Sequence, residues 1–205
     1  MPKREAPVDH LQNYLPPGTF DPVLQYLNQH KVHLTIARER KSILGDYRHR
    51  THQANHRISV NGNLNVYSFL ITLLHELAHL LTFEQFGNRV QSHGREWKTV
   101  YAQLLDQFLK NKKFPADIES ELLQSLKNPA ATSCAEDDLL RVLRRYDKDK
   151  GLPMVEELPQ QALFRTGDGR IFRKGKKLRK RYQCMEVSTG RLYLFSPVYE
   201  VEIVS

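Results

Sequence analysis

The sequence predicts an α+β fold in which one long, buried helix follows a small β-sheet. Residues 68–86 are apolar around nearly the whole helical circumference, a pattern typical of a helix enclosed by other parts of a protein. Short segments of alternating polarity precede this helix between residues 32 and 60, and a second set begins at Ala162. We therefore expect an N-terminal α+β domain, a helical region after it and a small C-terminal β module.

The segments before the long helix predict two helices and three strands. Asp21-Pro22 suits the start of a helix, because aspartate caps helix N-termini and proline is tolerated in the first turn. Asn61-Gly62 suits the turn that ends the last of these strands. The expected elements are helices at 9–15 and 21–30 and strands at 32–37, 42–48 and 57–60.

The region after the long helix predicts three more helices. Gly87-Asn88 is typical of a helix C-terminus, and Ser92 suits the N-cap of the next helix. Ser133 and Glu136 have the spacing of a capping box, which marks the start of the last helix. The expected helices are 93–110, 116–127 and 133–146, with a boundary at residues 111–115.

From Ala162 onward, short alternating segments separated by glycine-containing turns predict a β module. Ser188-Thr189-Gly190 suits the turn of a hairpin between two of its strands. The expected strands are 170–174, 181–187, 191–195 and 199–203.

Polar side chains form a narrow stripe along the long helix. Three of them belong to the motif His75-Glu76-Leu-Ala-His79. Burying two imidazoles and a carboxylate is costly unless something pairs with them, and a metal ion would satisfy that need. The two histidines are one turn apart on the same face, so both can reach one Zn²⁺. Glu76 lies beside the ion, where it can act as a general base. The stripe comprises Ser68, Thr72, His75, Glu76, His79 and Thr82.

A catalytic zinc site needs three protein ligands and one open position. His93 is the only histidine downstream of His79, and we expect it in the first turn of the next helix. Glu96 lies on the same helical face, so the residues alone leave His93 and Glu96 as alternative third ligands. Three histidines between the expected strands fit a solvated loop better than a second metal site: His49, His52 and His56.

The motif and its surroundings resemble the SprT-like zinc metallopeptidases, which include the eukaryotic Spartan proteases. The resemblance rests on His-Glu-Leu-Ala-His, a 13-residue gap and His-Gly-x-x-Trp, with the extended segments before the helix, and covers about residues 15–110. It implies a zincin-like fold with Glu76 as the catalytic base. The zinc ligands it implies are His75, His79 and His93. In that family the peptidase domain is associated with DNA and with cleavage of DNA-bound or DNA-crosslinked proteins.

The resemblance also assigns roles to the expected domains. Members of the family often carry a zinc ribbon after the peptidase domain, built on paired cysteines, but Cys184 is the only cysteine in the β module. We therefore expect a metal-free module in that place. The expected domains are an SprT-like zincin metallopeptidase domain at 1–112, a helical linker at 113–155 and a basic β module at 156–205.

Positive charge is concentrated in the β module. The formal net charge is +8, and residues 165–191 hold ten of the 31 lysines and arginines against two acidic residues. This excess points to a polyanion partner. Interleaved aromatic residues favour single-stranded DNA, with RNA possible, although the same aromatics could instead form the module's core. The expected nucleic-acid-binding residues are Arg173, Lys174, Lys176, Lys177, Arg179, Lys180 and Arg181, and the aromatics are Phe172, Tyr182, Tyr193 and Phe195.

The composition favours a cytoplasmic protein. Only two cysteines occur, Cys134 and Cys184, far apart in the chain, which predicts no disulfide framework. The first ten residues lack the apolar core of a secretory signal. The longest apolar run is too short and too polar to span a bilayer, so we expect no membrane association.

Together these features predict an SprT-like zinc endopeptidase that acts on proteins associated with or crosslinked to DNA. The alternative is a non-proteolytic nucleic-acid-binding protein in which the zinc is structural. A structural zinc is normally enclosed by four protein ligands. Three expected ligands and a glutamate at the catalytic spacing favour the enzyme.

Overall fold

The structure, a computed structural model, describes residues 8–40, 42–52, 54–126, 136–149 and 151–204. The chain divides into two units, residues 1–146 and 147–205. The presence of several helices and two small sheets confirms the α+β class. The expected linker at 113–155 is corrected, because most of it belongs to the first unit: Phe114, Ile118 and Leu139 are buried in that unit's core.

The sheet of the first unit has three strands in the order β1-β3-β2. The central strand β3 runs parallel to β1 and antiparallel to β2, so β2 is an edge strand. Ile58 and Val60 on β3 are buried in the core. A 3₁₀ helix (Val8–Tyr14) and helix α1 (Phe20–Gln29) precede β1 (His33–Ala37), β2 (Gly45–Arg48) and β3 (Arg57–Asn61).

Helix α2 (Val66–Phe86) carries the polar stripe through the core of the first unit. Asn65 caps it, because its side-chain oxygen accepts hydrogen bonds from the backbone amides of Tyr67 and Ser68. By length and composition the helix could cross a membrane, but 72% of its apolar window is buried inside the protein. The apolar composition of α2 is therefore explained by burial in the core.

In the described part of the first unit, three α-helices follow α2. Helix α3 (Arg95–Lys110) packs against α2 and has Gly94 as its N-cap. His93 therefore lies just before this helix, which corrects the expected position in its first turn. Ser133, the expected capping residue, lies outside the described residues. Helices α4 (Ala116–Ser125) and α5 (Asp137–Leu143) pack against each other and complete the first unit.

The second unit is a five-stranded antiparallel sheet in the order β7-β6-β5-β4-β8. Its core includes Phe164, Phe172 and Cys184. The pairing of β5 with β6 shifts register at a bulge that contains Gly175, where a Cβ atom would overlap the carbonyl oxygen of Gln183. The strands are β4 (Leu163–Arg165), β5 (Ile171–Leu178), β6 (Arg181–Glu186), β7 (Leu192–Phe195) and β8 (Glu202–Val204).

Candidate metal centre

Helix α2 places the ionisable side chains of its polar stripe in the interior. His75 and Glu76 are only 4% and 6% exposed, and His79 is half-buried. The ring centroids of His75 and His79 are 5.1 Å apart, as expected for imidazoles separated by one helical turn. Both histidines therefore face the same side of the helix, as the spacing predicts.

His93 joins the two helical histidines from the turn between α2 and α3. The backbone amide of Gly94 donates a hydrogen bond to the carbonyl of Gln91 (3.0 Å), which closes this turn. One ring nitrogen from each of His75, His79 and His93 lies within 4.8 Å of the other two. Among the described residues, these three histidines are the group of metal-ligating side chains that lie close enough together to hold one ion.

Glu96, the alternative third ligand, is not part of this cluster. It follows the N-cap of α3 by two residues and lines a separate cavity with Phe86 and Val100. The turn before α3 brings His93 towards α2, whereas the first turn of α3 directs Glu96 elsewhere. Among the two candidates, His93 is the residue that the fold brings to His75 and His79.

The aromatic rings of α3 close one side of the cluster. Trp97 is fully buried, with its ring centroid 4.6 Å from that of His75 and 4.7 Å from that of His93. Tyr101 is stacked on Trp97 at 5.0 Å and is also buried. These rings exclude water from one side of the imidazoles, which leaves the opposite side for approach from solvent.

The three imidazoles have the spacing and the charge state that a zinc ion requires. The Nε2 atoms of His75 and His93 are 3.3 Å apart, and two nitrogens at about 2.0–2.1 Å from one tetrahedral zinc would lie about 3.3 Å from each other. Burial, and then the neighbouring imidazoles, lower the pKa of His75 to about 3. Burial and His93 lower the pKa of His79 to about 4. Burial, and then the Lys98 ammonium group, also lower the pKa of His93. All three rings are therefore neutral at pH 7, which is the form that binds metal.

Glu76 lies beside the imidazoles but does not belong to their cluster. Burial, together with the nearby Asp46 carboxylate, raises the pKa of Glu76 to about 8, although Arg40 opposes this shift. A carboxyl group with a pKa near neutrality is suited to exchanging protons with a substrate or a water molecule. The position of Glu76 suits the general base that the spacing predicts, and the positive charge of a metal ion at the imidazoles would lower this pKa and favour the carboxylate that a base requires.

The cluster opens into a cavity of about 340 Å³ between α2 and the edge strand β2. Gly45 and Tyr47 on β2 line one side, and His79 and Glu76 on α2 line the other. The cavity is open to solvent, so a substrate could reach the imidazoles and Glu76 together. The lining residues are Ser42, Ile43, Leu44, Gly45, Asp46, Tyr47, His75, Glu76, His79, Ser92 and His93.

The basic residues of the second unit lie mainly on one hairpin, formed by β5 and β6. Lys174 is the exception, because it is 4% exposed and its Nζ donates hydrogen bonds to the carbonyls of Glu156 (3.1 Å) and Leu158 (2.5 Å). The prediction that Lys174 binds nucleic acid is therefore corrected: its ammonium group is occupied inside the unit. The other six expected nucleic-acid-binding residues are exposed: Arg173, Lys176, Lys177, Arg179, Lys180 and Arg181.

The aromatic residues interleaved with these cations contribute to the core of the second unit or pack against it. Phe172 is fully buried, and its ring packs 4.8 Å from Phe195 and 5.4 Å from Tyr193. Tyr182 also packs against this core. Phe172 is therefore part of the core, and the partly buried Tyr182, Tyr193 and Phe195 pack against it. The alternative that these aromatics contribute to the core is confirmed, and stacking with bases stays a prediction for the three partly buried rings.

Sequence reasoning missed several residues around the cavity. His56 was expected in a solvated loop with His49 and His52, but it is 1% exposed and hydrogen-bonded to Tyr47. Gly45 was not singled out, because only the packing of β2 on α2 reveals that its missing side chain leaves room for Glu76. Neither a glycine in a four-residue strand nor a histidine just before a strand carries a local signal for such a role.

Comparisons with known proteins match the part of the chain that contains this site. Residues 19–120 match the model of the SprT-like family. The chain is 58% identical to Protein SprT of Glaesserella parasuis over 31 residues, which are 15% of this chain and 19% of that protein. It is 48% identical to Protein SprT of Pseudomonas putida over 29 residues, which are 14% of this chain and 18% of that protein.

The matched stretches thus span about a fifth of the length of these curated relatives. No solved structure matches the chain. The family assignment rests on the match to residues 19–120, which contain the whole cluster of imidazoles, Glu76 and the edge strand β2. Through these residues, the chain belongs to the SprT-like family, a metallopeptidase-like family.

Proposed function

We propose that this protein is a zinc-dependent endopeptidase with a zincin-like active site. The observation that carries the proposal is the convergence of three neutral imidazoles beside a buried glutamate in an open cavity. A structural zinc is normally enclosed by four protein ligands, whereas a catalytic zinc has three and an open position. The open cavity beside the cluster supports the catalytic type of site.

His75, His79 and His93 would hold the zinc through their ring nitrogens. When bound, zinc supplies Lewis-acid polarisation of the scissile carbonyl and increases the acidity of a water molecule. Glu76 takes the proton of the attacking water at its carboxylate and delivers it to the nitrogen of the leaving group. Trp97 and Tyr101 support this chemistry by excluding bulk water from the buried side of the imidazoles.

We further propose that the substrates are proteins associated with or crosslinked to DNA, and that the protein acts in the cytoplasm. The support for the DNA partner is the family resemblance and the exposed cations of the β5–β6 hairpin. Phe172 lies in the core and the other three aromatic rings are partly buried against it, so the contacts proposed first are to phosphates, with single-stranded DNA as the expected form. RNA offers the same phosphates and is the alternative polyanion.

The test is cleavage of a basic DNA-binding protein by the zinc-loaded protein, with and without DNA or RNA, compared with Glu76→Gln. Removing a general base typically lowers the rate by about 10²–10⁴-fold, so the variant should retain zinc and lose cleavage. Stimulation by DNA would support the proposed substrate class. Cleavage that is indifferent to nucleic acid would leave a peptidase and remove the DNA-linked role.

The alternative function is that of a non-proteolytic nucleic-acid-binding protein with a structural zinc. Its distinguishing measurement is X-ray absorption of the zinc-loaded protein. Three nitrogen ligands and one solvent oxygen would support the peptidase, whereas four protein ligands would support the structural role. Absence of cleavage under every condition, with zinc bound and nucleic acid retained, would also favour the alternative.

A further inference from the structure

A fourth histidine is buried next to the metal centre without belonging to it. His56, which immediately precedes β3, is 1% exposed. Its Nδ1 lies 2.8 Å from the hydroxyl of Tyr47, a residue of β2 that lines the cavity. The ring of Tyr47 lies parallel to that of His79, with an interplanar angle of 2° and 6.4 Å between centroids. A single hydrogen bond therefore joins His56 to Tyr47, a residue that lines the cavity.

The hydrogen bonds of His56 determine where its proton lies. The backbone amide of Arg50 donates to Nδ1 at 3.3 Å, so this nitrogen is an acceptor and carries no proton. The Tyr47 hydroxyl must therefore donate to it as well. Burial lowers the pKa of His56 and burial raises that of Tyr47, which agrees with a neutral imidazole and a protonated phenol. The ring proton of His56 is accordingly on Nε2.

Glu84 lies next to this pair and is hydrogen-bonded to His30. The Nε2 atom of His56 faces Glu84 Oε1 at 3.6 Å, and His30 Nδ1 donates a hydrogen bond to Glu84 Oε2 at 2.6 Å. His30 follows the last residue of α1, and Glu84 lies in the last turn of α2. Tyr47, His56, Glu84 and His30, together the Tyr47 network, therefore lie in a row between β2 and the two helices. Hydrogen bonds join Tyr47 to His56 and Glu84 to His30, whereas the 3.6 Å contact between His56 and Glu84 is too long for a hydrogen bond.

The position of β2 determines the space above the catalytic groups. β2 is a four-residue edge strand that pairs with β3 on one side only, and its other neighbour is α2. Two residues before Tyr47, Gly45 packs closely against Glu76. A small movement of β2 would consequently widen or narrow the cavity at Glu76. Backbone pairing to one strand alone provides limited resistance to such a movement.

We propose that Tyr47 and His56 are positioning residues, which hold edge strand β2 at a defined distance from α2 and so set the width of the cleft that receives the substrate. The role rests on the proposed peptidase function. It predicts a larger effect on KM than on kcat, because zinc, its ligands and Glu76 stay in place when the network is broken. The Tyr47 network itself does not contact the reacting atoms.

The test compares Tyr47→Phe, His56→Gln and the exposed control His52→Gln. Tyr47→Phe removes only the hydroxyl and keeps the ring beside His79, so the fold is retained even if His56→Gln is unstable. We expect Tyr47→Phe to raise KM for a peptide about three- to tenfold, as the loss of one buried hydrogen bond allows, with kcat within about twofold. Zinc should remain bound at one equivalent, and His52→Gln should behave as wild type.

Two further measurements do not depend on activity. ¹⁵N NMR of the histidine rings should find the His56 proton on Nε2, and hydrogen exchange at residues 45–48 should become faster in Tyr47→Phe. A proton on Nδ1, or unchanged exchange and KM in both variants, would overturn the positioning role. If zinc-loaded wild type cleaves nothing, the proposed function fails, while the exchange experiment still decides whether the network holds β2.

Discussion

An ideal Cβ atom on Gly45 would lie 2.6 Å from Oε1 of Glu76 and 2.8 Å from Cγ2 of Thr72. Carbon and oxygen atoms that are not bonded to each other do not approach so closely, so a side chain at this position would displace Glu76. The glycine of the edge strand and the glutamate of the helix therefore share one small space. Glu76, the proposed general base, can occupy its observed position only because residue 45 has no side chain.

We predict that Gly45→Ala impairs catalysis without removing the metal. The added methyl group should push the Glu76 carboxylate away from the imidazoles, and a displacement of about 1 Å can lower a rate by about 100-fold. The measurement is kcat/KM for peptide cleavage together with zinc content. Gly167→Ala is the matched control, because its Cβ would meet no atom within 4 Å. Equal activity of the two variants would contradict the assigned role of Gly45.

We predict that zinc binding depends on His93 and not on Glu96. His79→Ala and His93→Ala each remove one of three nitrogens, which should weaken zinc binding by more than the 10- to 100-fold that is typical of changes outside the ligand shell. Glu96→Ala should leave the affinity within about threefold of wild type, as should the exposed-histidine control His52→Ala. Competition with a chromogenic chelator measures these affinities. Loss of zinc in Glu96→Ala would reverse the assignment of the third ligand.

We predict that the zinc-free protein has its maximum stability near pH 6.5. The native pKa values of His75 and His79, about 3 and about 4, lie below the ordinary value of about 6.5, so only the unfolded chain gains these protons as pH falls. The free energy of unfolding should therefore decrease from about pH 6.5 towards pH 4.

Glu76 produces the opposite slope above that maximum. Its native pKa of about 8 exceeds the unfolded value of about 4.5, so the native state holds a proton that the unfolded chain has released. The free energy of unfolding should fall as pH rises from 6.5 to 8, by at most about 1.4 kcal/mol per pH unit. Urea titrations followed through Trp97, the single tryptophan, measure both limbs. Glu76→Gln should abolish the alkaline decrease, and a decrease that persists would contradict the assigned pKa.

We predict that the β5–β6 hairpin contributes to nucleic-acid binding through phosphate contacts. The double variant Lys177→Gln/Arg179→Gln should weaken binding and reduce the slope of log K against log salt by about two, or about 0.9 for each lost contact with duplex DNA. Fluorescence anisotropy with a labelled duplex at several salt concentrations measures this slope.

The control for the hairpin variant is Lys110→Gln/Lys112→Gln in the first unit. These lysines already pair with Asp106 at 2.6 Å and Glu119 at 3.0 Å, so they offer little free charge to a phosphate. An equal loss of affinity in both double variants would mean that binding follows total charge rather than the hairpin. A hairpin variant with unchanged slope would remove this surface from the proposed interface.

The sequence alone was sufficient to predict the features that depend only on neighbouring residues in the chain. The four-residue spacing of His75 and His79 places both rings on one face of any α-helix, and the surrounding apolar residues require that helix to be buried. The change to alternating polarity after Ala162 was likewise sufficient to identify a β module, and the module's strands overlap those expected. These conclusions need no information about distant neighbours.

Tertiary structure decided what depends on contacts between distant segments. His93 reaches the cluster because a turn and the packing of α3 on α2 bring it there, whereas side-chain chemistry and helical spacing alone left His93 and Glu96 as alternatives. Lys174 lies in a run of exposed cations, yet the alternation of β5 places its side chain on the same face as the buried Phe172, where backbone carbonyls accept its hydrogen bonds. Charge in sequence does not specify which face of a short strand a side chain takes.

The same reason explains Gly45 and His56. Each has an ordinary local sequence, and each becomes important only because β2 packs against α2, which begins about twenty residues after Gly45 in the chain. The sequence by itself therefore determined the chemistry of the site, since imidazole pairs and a neighbouring carboxylate are local features. Only the fold decided how much space those groups have and which residues hold them in place, because both depend on long-range packing.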